Sequence, residues 1–293
     1  MTAPVAVILN PSSSGQGSRE LVSTLLRQTG IEAAVHVLPR GADVTGLAKQ
    51  LVADGARMLI AAGGDGTVSA VAAAVAGTGA AMGVLPLGGL NHFARDLGIS
   101  LSLDDAARTL QAGAVRTVDV AEVNGRTFVN NSGLGMYPFL VTQREKRRRS
   151  GQRKWIAFFR AALATLRRFP FLDVRLTAGG KEFARRTPFV FVGANAYRME
   201  GLHLGSRESL SGGLLWLGVA QYRMGRWGMV RLAFRALFGG IHHEPDLDTL
   251  SAREIHITSR HKRLAVSLDG EVAVLETPLH YRIRPGALRV IAP

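Results

Sequence analysis

"IAAGGDGTVSA", residues 60–70, combines the end of an apolar run, a glycine-rich turn and the start of a helical stretch. Gly63 and Gly64 carry no side chain, so the backbone of the turn can approach a ligand closely. Thr67 is a candidate cap of the following helix, whose N-terminal N–H groups favour a phosphate. The turn is therefore predicted to bind an anion, although it also contains Asp65, whose charge would repel one.

Strand-like and helix-like stretches alternate along the first third of the chain. Apolar runs at 5–10, 57–64 and 81–89 each lead into a turn and then into a stretch with helical spacing. Gly30 and Gly55 end two of the helical stretches. Short connections between alternating strands and helices predict a parallel sheet covered by helices. Such sheets bind ligands beyond the carboxyl ends of their strands.

The pattern changes from about residue 115, where short alternating runs take over. The Gly179-Gly180 pair predicts a hairpin, and residues 253–293 have the pattern of several antiparallel strands. The predicted fold class is therefore α/β, with a parallel-sheet domain over residues 1–122. A mainly antiparallel β-sandwich domain is predicted over residues 123–293.

The chain is strongly basic, with 36 Lys and Arg residues, 22 Asp and Glu residues and a formal net charge of +14. A basic surface attracts polyanions such as nucleic acid, anionic lipid headgroups or phosphorylated ligands. A basic run at 144–154 precedes an amphipathic stretch at 155–169, which predicts a basic amphipathic insertion near 144–170. A second stretch, 222–240, again mixes aromatic residues with arginines.

Two interpretations of these basic segments stay open. A basic run beside an aromatic-rich amphipathic helix is typical of a helix that lies in a membrane interface, which would make an anionic membrane surface a partner. The apolar stripe could equally pack on the sandwich, as in most amphipathic helices of globular proteins. No RNP-like or other nucleic-acid motif accompanies the basic run, so nucleic acid is not an expected partner.

The composition excludes two kinds of site and indicates where in the cell the protein is expected. The chain contains no cysteine, which excludes disulfide bonds and thiolate metal sites. The first residues lack the basic region of a signal peptide, and no run of about 18 apolar residues predicts a transmembrane helix. The expected location is cytoplasmic, peripheral at the inner face of the membrane. The sequence does not indicate an oligomeric state.

The "GGDGT" pentad at 63–67 resembles the signature of the diacylglycerol kinase catalytic domain, which sphingosine kinases and NAD kinases share. Three further blocks are similar to that family: "ILNPSSSGQGS" at 8–18, "GVLPLGGLNHFARDLGI" at 83–99 and "FVNNSGLGMYP" at 128–138. The ending "SLDGEVAVLETPLHYRIRPGALRVI" at 267–291 resembles the bacterial soluble lipid-kinase branch, and NAD kinases do not share it. The likeness covers nearly the whole chain.

The resemblance implies a two-domain kinase that uses ATP and Mg²⁺. The first domain would bind ATP near the cleft between the domains, and the second domain would receive a lipid substrate. The product would be a lipid phosphorylated on a hydroxyl group, as in a diacylglycerol-like or sphingoid lipid. The family's nucleotide contacts carry over onto Asn10, Pro11, Gly63, Gly64, Asp65, Gly66, Thr67, Gly88 and Asn91.

The resemblance also assigns roles to four acids. Asp65 would hold Mg²⁺, directly or through water, and the cation would remove the repulsion between this carboxylate and phosphate. Asp119 matches a second acidic position of the same metal network. Glu271 would be the general base, and Asp269 would be a supporting acid that also forms a hairpin turn with Gly270.

Several positions depart from the family pattern. Gly89 stands where threonine is usual, and His92 stands where aspartate is common. Gly212 and Trp216 replace aspartates, so a separate structural metal site in the second domain is not expected. These changes leave two alternatives to a lipid kinase: a catalytically impaired member that binds lipid or nucleotide, and an NAD kinase.

Overall fold

The computed structural model describes residues 4–11, 17–39, 41–135, 138, 171–200, 203–207, 209–220 and 247–293. The basic run at 144–154 and the amphipathic stretches at 155–169 and 222–240 lie outside these residues. Within the described part of the chain, no helix combines the length and the apolar character needed to cross a membrane.

The first unit alternates strands and helices as the sequence predicts. Its elements are β1 (Val5–Leu9), α1 (Ser18–Gln28), β2 (Ala34–Val37), α2 (Val44–Ala53), β3 (Met58–Gly63), α3 (Asp65–Val75), β4 (Ala81–Pro86), α4 (His92–Asp96) and α5 (Leu103–Ala112). The strands lie parallel in the order β2-β1-β3-β4. The predicted parallel sheet is confirmed.

Local chemistry explains the boundaries of these elements. Strands β1, β3 and β4 are continuous apolar runs that are buried almost throughout, because helices cover both faces of a parallel sheet. Helix α2 begins after Asp43, whose carboxylate accepts a hydrogen bond of 2.9 Å from the Gly46 N–H. Such a cap stabilises a helix by about 1 kcal/mol.

In the second unit, the elements that the described residues form are strands. They are β5 (Ala114–Val123), β6 (Arg126–Phe128), β7 (Asn131–Gly135), β8 (Leu172–Ala178), β9 (Lys181–Thr187), β10 (Phe189–Ala194), β11 (Tyr197–Glu200), β12 (His203–Arg207), β13 (Leu215–Ala220), β14 (Leu247–Ala252), β15 (Glu254–Ser259), β16 (Arg263–Leu268), β17 (Glu271–Glu276) and β18 (Leu279–Ala292). The predicted hairpin at Gly179-Gly180 joins β8 to β9.

Two sheets form the sandwich. One has the order β14-β13-β10-β7-β16-β17, and its apolar face shares a core with β6, β8, β15 and part of β18. At the centre of that core Tyr281 is fully buried, with its hydroxyl 3.0 Å from Ser132 Oγ and its ring edge-on to Phe128. Burial raises the pKa of the Tyr281 phenol, so this hydroxyl stays protonated. The predicted β-sandwich is confirmed.

The last strand belongs to both units. Strand β18 lies parallel to β4, with Arg289 opposite Ala81, and antiparallel to β5 and β15. The large sheet therefore continues from the parallel strands into the sandwich in the order β2-β1-β3-β4-β18-β15-β8-β9. Leu288 and Val290 pack in the first core, whereas Tyr281 packs in the second. The bounds 1–122 and 123–293 stay a prediction, and β18 returns from the second range to pair with β4 in the first.

Replacing Leu288 by alanine tests whether the two units share β18. Leu288 is fully buried in the first core, so the Leu288→Ala variant should lose about 2–5 kcal/mol of unfolding free energy. The control Leu101→Ala removes a side chain that is 38% exposed and should change stability by less than about 0.5 kcal/mol. Urea unfolding followed by circular dichroism measures both. Loss of the sandwich alone, with the first unit still folded at its original midpoint, would contradict the shared strand.

Candidate active site

Two glycine-rich turns meet at one edge of the parallel sheet. Gly63 at the end of β3 lies opposite Pro86 at the end of β4, so the turns that follow these strands are neighbours. A β-carbon at position 88 would lie 2.6 Å from the Gly64 Cα atom. The backbones of the two turns are therefore in contact, and position 88 admits only glycine.

Helix α3 begins at Asp65, three residues earlier than a cap at Thr67 requires. The predicted capping role of Thr67 is therefore wrong: Gly64 is the N-cap, and no side chain caps this end. Thr67 lies buried inside the first turn, where its Oγ1 accepts a hydrogen bond of 3.1 Å from Asn10 Nδ2. A helix end whose first N–H groups lack a side-chain cap is suited to an anion.

Asp65 connects the two turns. Its Oδ2 atom accepts a hydrogen bond of 3.0 Å from the Asn91 N–H, and its Oδ1 atom accepts one of 2.7 Å from the His92 N–H. These N–H groups stand at the start of α4, where a negative charge is favourable. The aspartate of the pentad thus holds the second turn against the first.

Asn91 fixes the second turn internally. Its backbone adopts a left-handed conformation with φ of 51°, which asparagine tolerates better than most residues. Its Oδ1 atom accepts from the Gly88 N–H at 3.1 Å, and its Nδ2 atom donates to the Gly88 carbonyl at 2.8 Å. Both ends of the buried amide are paired, so the turn keeps one shape.

Asp269 anchors the hairpin between β16 and β17. With φ of 48° at Asp269 and 87° at Gly270, the two residues make the tight turn predicted for them. The Asp269 carboxylate accepts hydrogen bonds of 2.8 to 3.0 Å from the N–H groups of residues 129–131. Burial raises the pKa of Asp269, and these three donors oppose the rise because they stabilise the charged form.

Glu271, which belongs to the sandwich, lies close to the pentad. It is the first residue of β17 and is exposed to solvent. Its Oε1 atom lies 3.3 Å from the place that a β-carbon would occupy on Gly66, in the first turn of α3. A carboxylate of the second unit therefore faces the helix end at which an anion would bind.

Asp119 takes part in a different set of contacts. It is 2% exposed, and its two carboxylate oxygens accept hydrogen bonds from the Gly213 and Gly286 N–H groups at 2.7 and 2.8 Å. Gly286 stands three residues before Arg289, which pairs with the first residue of β4, whereas the pentad follows the carboxyl end of β3. No hydrogen bond among the described residues links Asp119 to Asp65 or Glu271, and its metal role stays a prediction.

Arg207 is a site residue that the sequence does not reveal. Its buried guanidinium donates to Asp96 Oδ2 at 2.8 Å and to Asn130 Oδ1 at 3.2 Å. Asp96 ends α4, and Asn130 donates its N–H to Asp269. Arg207 therefore ties the second glycine turn to the hairpin that carries Glu271. One arginine among many gives no sign in the sequence that it is buried.

The residues that depart from the family pattern occupy distinct surroundings. Gly89 is exposed, and a β-carbon there would meet no atom within 4 Å. His92 is exposed and contributes its backbone N–H to the Asp65 contact. Trp216 is buried against Phe191 at 5.6 Å between ring centroids, so its role is packing. Gly212 lies beside Asn195, whose buried amide atoms have no hydrogen-bond partner in the described ranges.

Two family matches cover most of the chain. Residues 4–123 match the family described as "Diacylglycerol kinase catalytic domain". Residues 140–292 match the family described as "YegS C-terminal NAD kinase beta sandwich-like domain". The second match alone covers half of the chain.

Relatives agree with these matches over their whole length. A protein of Citrobacter koseri named "Probable lipid kinase YegS-like" is 26% identical and aligns with 99% of this chain and 96% of its own. "Probable lipid kinase YegS" of Salmonella newport has the same identity and coverage. The crystal structure of a diacylglycerol kinase from Bacillus anthracis shares the fold, with a TM-score of 0.70 at 20% identity over 99% of this chain and 96% of that chain. The chain therefore belongs to the diacylglycerol kinase catalytic-domain family of lipid kinases, phosphotransferases that act on an alcohol, and its second domain is the YegS-type sandwich.

Proposed function

We propose that this chain transfers the γ-phosphoryl group of ATP to a hydroxyl group of a diacylglycerol-like or sphingoid lipid, in a reaction that requires Mg²⁺. The observation that carries the proposal is the position of Glu271. Its Oε1 atom lies 3.3 Å from a β-carbon position on Gly66, so a proton acceptor faces the phosphate-binding end of α3. Phosphoryl transfer depends mainly on positioning and on charge stabilisation, and this cleft supplies groups for both.

The two glycine turns fit a triphosphate. The first turn of α3 presents N–H groups without a side-chain cap, and the close contact of Gly64 and Gly88 leaves no side chain between backbone and ligand. Asn10 reaches the same place through its hydrogen bond to Thr67. We propose that Asn10, Pro11, residues 63–67, Gly88 and Asn91 bind the nucleotide phosphates.

The oxygen donors of the cleft fit Mg²⁺. This cation prefers carboxylate oxygens and retains several waters, and Asp65 presents a carboxylate at the start of α3. Each oxygen of Asp65 accepts one backbone N–H and keeps a further lone pair, so the carboxylate can serve the cation and the second turn together. When bound, the cation neutralises negative charge of the phosphates.

Glu271 acts as the general base in this proposal. Its carboxylate takes the proton of the lipid hydroxyl while that oxygen forms its bond to the γ-phosphorus and the bond to the β–γ bridging oxygen breaks, leaving ADP. The tight Asp269-Gly270 turn and the three hydrogen bonds that N–H groups donate to Asp269 hold the backbone of Glu271, the first residue of β17, in place. Asp269 is therefore a positioning residue. General-base assistance contributes typically about 10²- to 10⁴-fold to the rate.

The lipid substrate places the enzyme at a membrane. The names of the relatives support a lipid acceptor, and the chain's net charge of +14 favours an anionic lipid surface. We propose that the basic segment at 144–154 and the stretch at 155–169 bind the inner face of the cytoplasmic membrane. The shape of the lipid-binding pocket determines which lipid is accepted. The assay panel therefore contains diacylglycerol, monoacylglycerol, sphingosine and ceramide.

Removing the Asp65 carboxylate tests its hold on the second turn. The Asp65→Ala variant should exchange the amide hydrogens of Asn91 and His92 roughly ten- to a hundredfold faster, because each loses a hydrogen bond to a charged group. Hydrogen exchange followed by mass spectrometry measures this. The control Asp104→Ala removes an exposed acid from the first turn of α5 and should leave the 88–92 segment unchanged. Equal protection of that segment in both variants would contradict the contact.

Glu271→Gln tests the general base. With labelled ATP and the lipid panel, kcat should fall roughly 10²- to 10⁴-fold, while ATP binding measured by calorimetry stays near that of the parent. Glu276→Gln is the matched control, since Glu276 ends the same strand and pairs with Arg263 on the surface. Near-normal turnover of Glu271→Gln would refute the role. Phosphorylation of NAD in place of every lipid would identify an NAD kinase instead.

Replacing Arg147, Arg148 and Arg149 by serine tests the membrane contact. The variant should sediment less with phosphatidylserine vesicles, and added salt should release the parent, because both changes weaken attraction to the anionic surface. The control variant replaces Arg57, Arg108 and Arg126 by serine, which removes the same charge from exposed positions of the first unit and of β6. If the two variants sediment equally, net charge rather than this segment attracts the membrane.

A further inference from the structure

A cluster of nitrogen and oxygen donors lies on the outer face of the large sheet, away from the cleft. Glu254 and His256 stand two residues apart on β15, so both side chains point to the same face. His280 on β18 is the register partner of His256. One ligand atom from each of the three side chains lies within 4.8 Å of the other two.

The distances within the cluster are close to those of a coordination shell. Glu254 Oε2 lies 3.5 Å from His280 Nε2 and 4.0 Å from His256 Nε2. Ligand atoms around a tetrahedral Zn²⁺ are separated by about 3.4 Å, given metal–ligand bonds near 2.0–2.1 Å. The two imidazole rings are stacked, with centroids 4.1 Å apart and an angle of 13° between their planes. Because the nitrogen lone pairs lie in these nearly parallel ring planes, one imidazole ring must turn before both Nε2 atoms and the Glu254 carboxylate can bind one ion.

The Nε2 atom of His280 is incompletely partnered. It is shielded from solvent and makes no hydrogen bond within the described residues, and its described contact is the ion pair with Glu254 Oε2 at 3.5 Å, although the His280 side chain as a whole is 44% exposed. Its backbone is fixed, because its N–H donates to Asn124 Oδ1 at 2.8 Å and its carbonyl accepts from the Asn124 N–H at 3.2 Å. A metal ion at this position would give Nε2 the bond that the described contacts do not supply.

We propose that Glu254, His256 and His280 form a binding site for a transition-metal dication of the Zn²⁺ type. Two imidazole nitrogens and one carboxylate suit Zn²⁺, whereas Mg²⁺ prefers oxygen ligands. The site is separate from the proposed kinase cleft, since Glu271 belongs to the other sheet. The ion would connect β15 to β18, the strand that enters both cores.

One negative and one positive group set the charge around the cluster. Among the described residues, the ion-pair contacts of Glu254 are with the two histidines. Arg282, the register partner of Glu254, directs its guanidinium to Glu122 at 2.6 Å. This arrangement leaves the Glu254 carboxylate turned toward the imidazoles, although the positive charge of Arg282 nearby lowers the affinity for an ion.

Metal titration of the full chain tests the site. The chain is first treated with a chelator and then titrated with Zn²⁺ by calorimetry and with Co²⁺ as a probe of visible absorption. Loss of a group that only hydrogen-bonds to a metal ligand typically weakens metal affinity at least about tenfold, and loss of a ligand itself should weaken it more. Glu254→Gln, His256→Gln and His280→Gln should therefore each weaken Zn²⁺ binding more than about tenfold. His261→Gln, an exposed histidine on the β15–β16 connection, is the matched control and should bind like the parent.

Two readouts keep the test decisive. Zn²⁺ should raise the melting temperature of the parent and of His261→Gln but not that of the three ligand variants. Lipid kinase activity in Mg²⁺ should be the same in all of them, so failure of this site is distinguishable from failure of the proposed function. Unchanged Zn²⁺ binding in all three ligand variants would overturn the proposal and direct attention to His242 and His243, which lie outside the described residues. Absence of Zn²⁺ binding to the parent would also overturn it.

Discussion

The site depends on one carboxylate that holds two backbone turns together. Asp65 stands at the start of one helix, and its two oxygens accept the N–H groups that open another, at 3.0 and 2.7 Å. An acid in an anion-binding turn is therefore reasonable: its charge is directed to the N-terminus of α4, while the uncapped N–H groups of α3 stay available to phosphate. Besides this contact, the second glycine turn is attached to the first by the hydrogen bond of 3.0 Å from the Leu87 N–H to the Gly63 carbonyl and by the close approach of Gly88 to Gly64.

Helix α4 connects the two glycine-rich turns to the sandwich. It has five residues, and its start is held by Asp65 and its end by the pair of Asp96 with Arg207. Arg207 also donates a hydrogen bond to Asn130 Oδ1, and the Asn130 N–H donates to the Asp269 carboxylate. Asp269 in turn forms the hairpin turn that precedes Glu271. A buried ion pair contributes little net stability but defines a geometry, because a misplaced partner leaves an uncompensated charge. The path gives the proposed base a fixed distance from the phosphate site.

Sequence reasoning identified what is local and missed what depends on the folded chain. The pentad, the Asp269-Gly270 turn and the alternation of strands and helices follow from short-range rules, and the structure confirms those elements. The start of α3 differs because Gly64, not Thr67, occupies the cap, and propensity alone does not decide between starts three residues apart. The burial of Arg207, the contacts of Asp119 and the return of β18 beside β4 join residues far apart in the chain. Periodicity carries no information about such pairs.

The departures from the family pattern are compatible with this framework. At position 92 the interaction with Asp65 uses the backbone N–H, which any residue except proline supplies, so a histidine leaves that contact intact. At position 89 a side chain would point into open space, so glycine removes no packing and alters no neighbour. Both positions border the cleft rather than support it. The parts that fix the proposed base and the two turns are Asp65, Asn91, Asp96, Arg207 and Asp269, and all five are present. For this reason an active phosphotransferase accounts for the structure better than an impaired one.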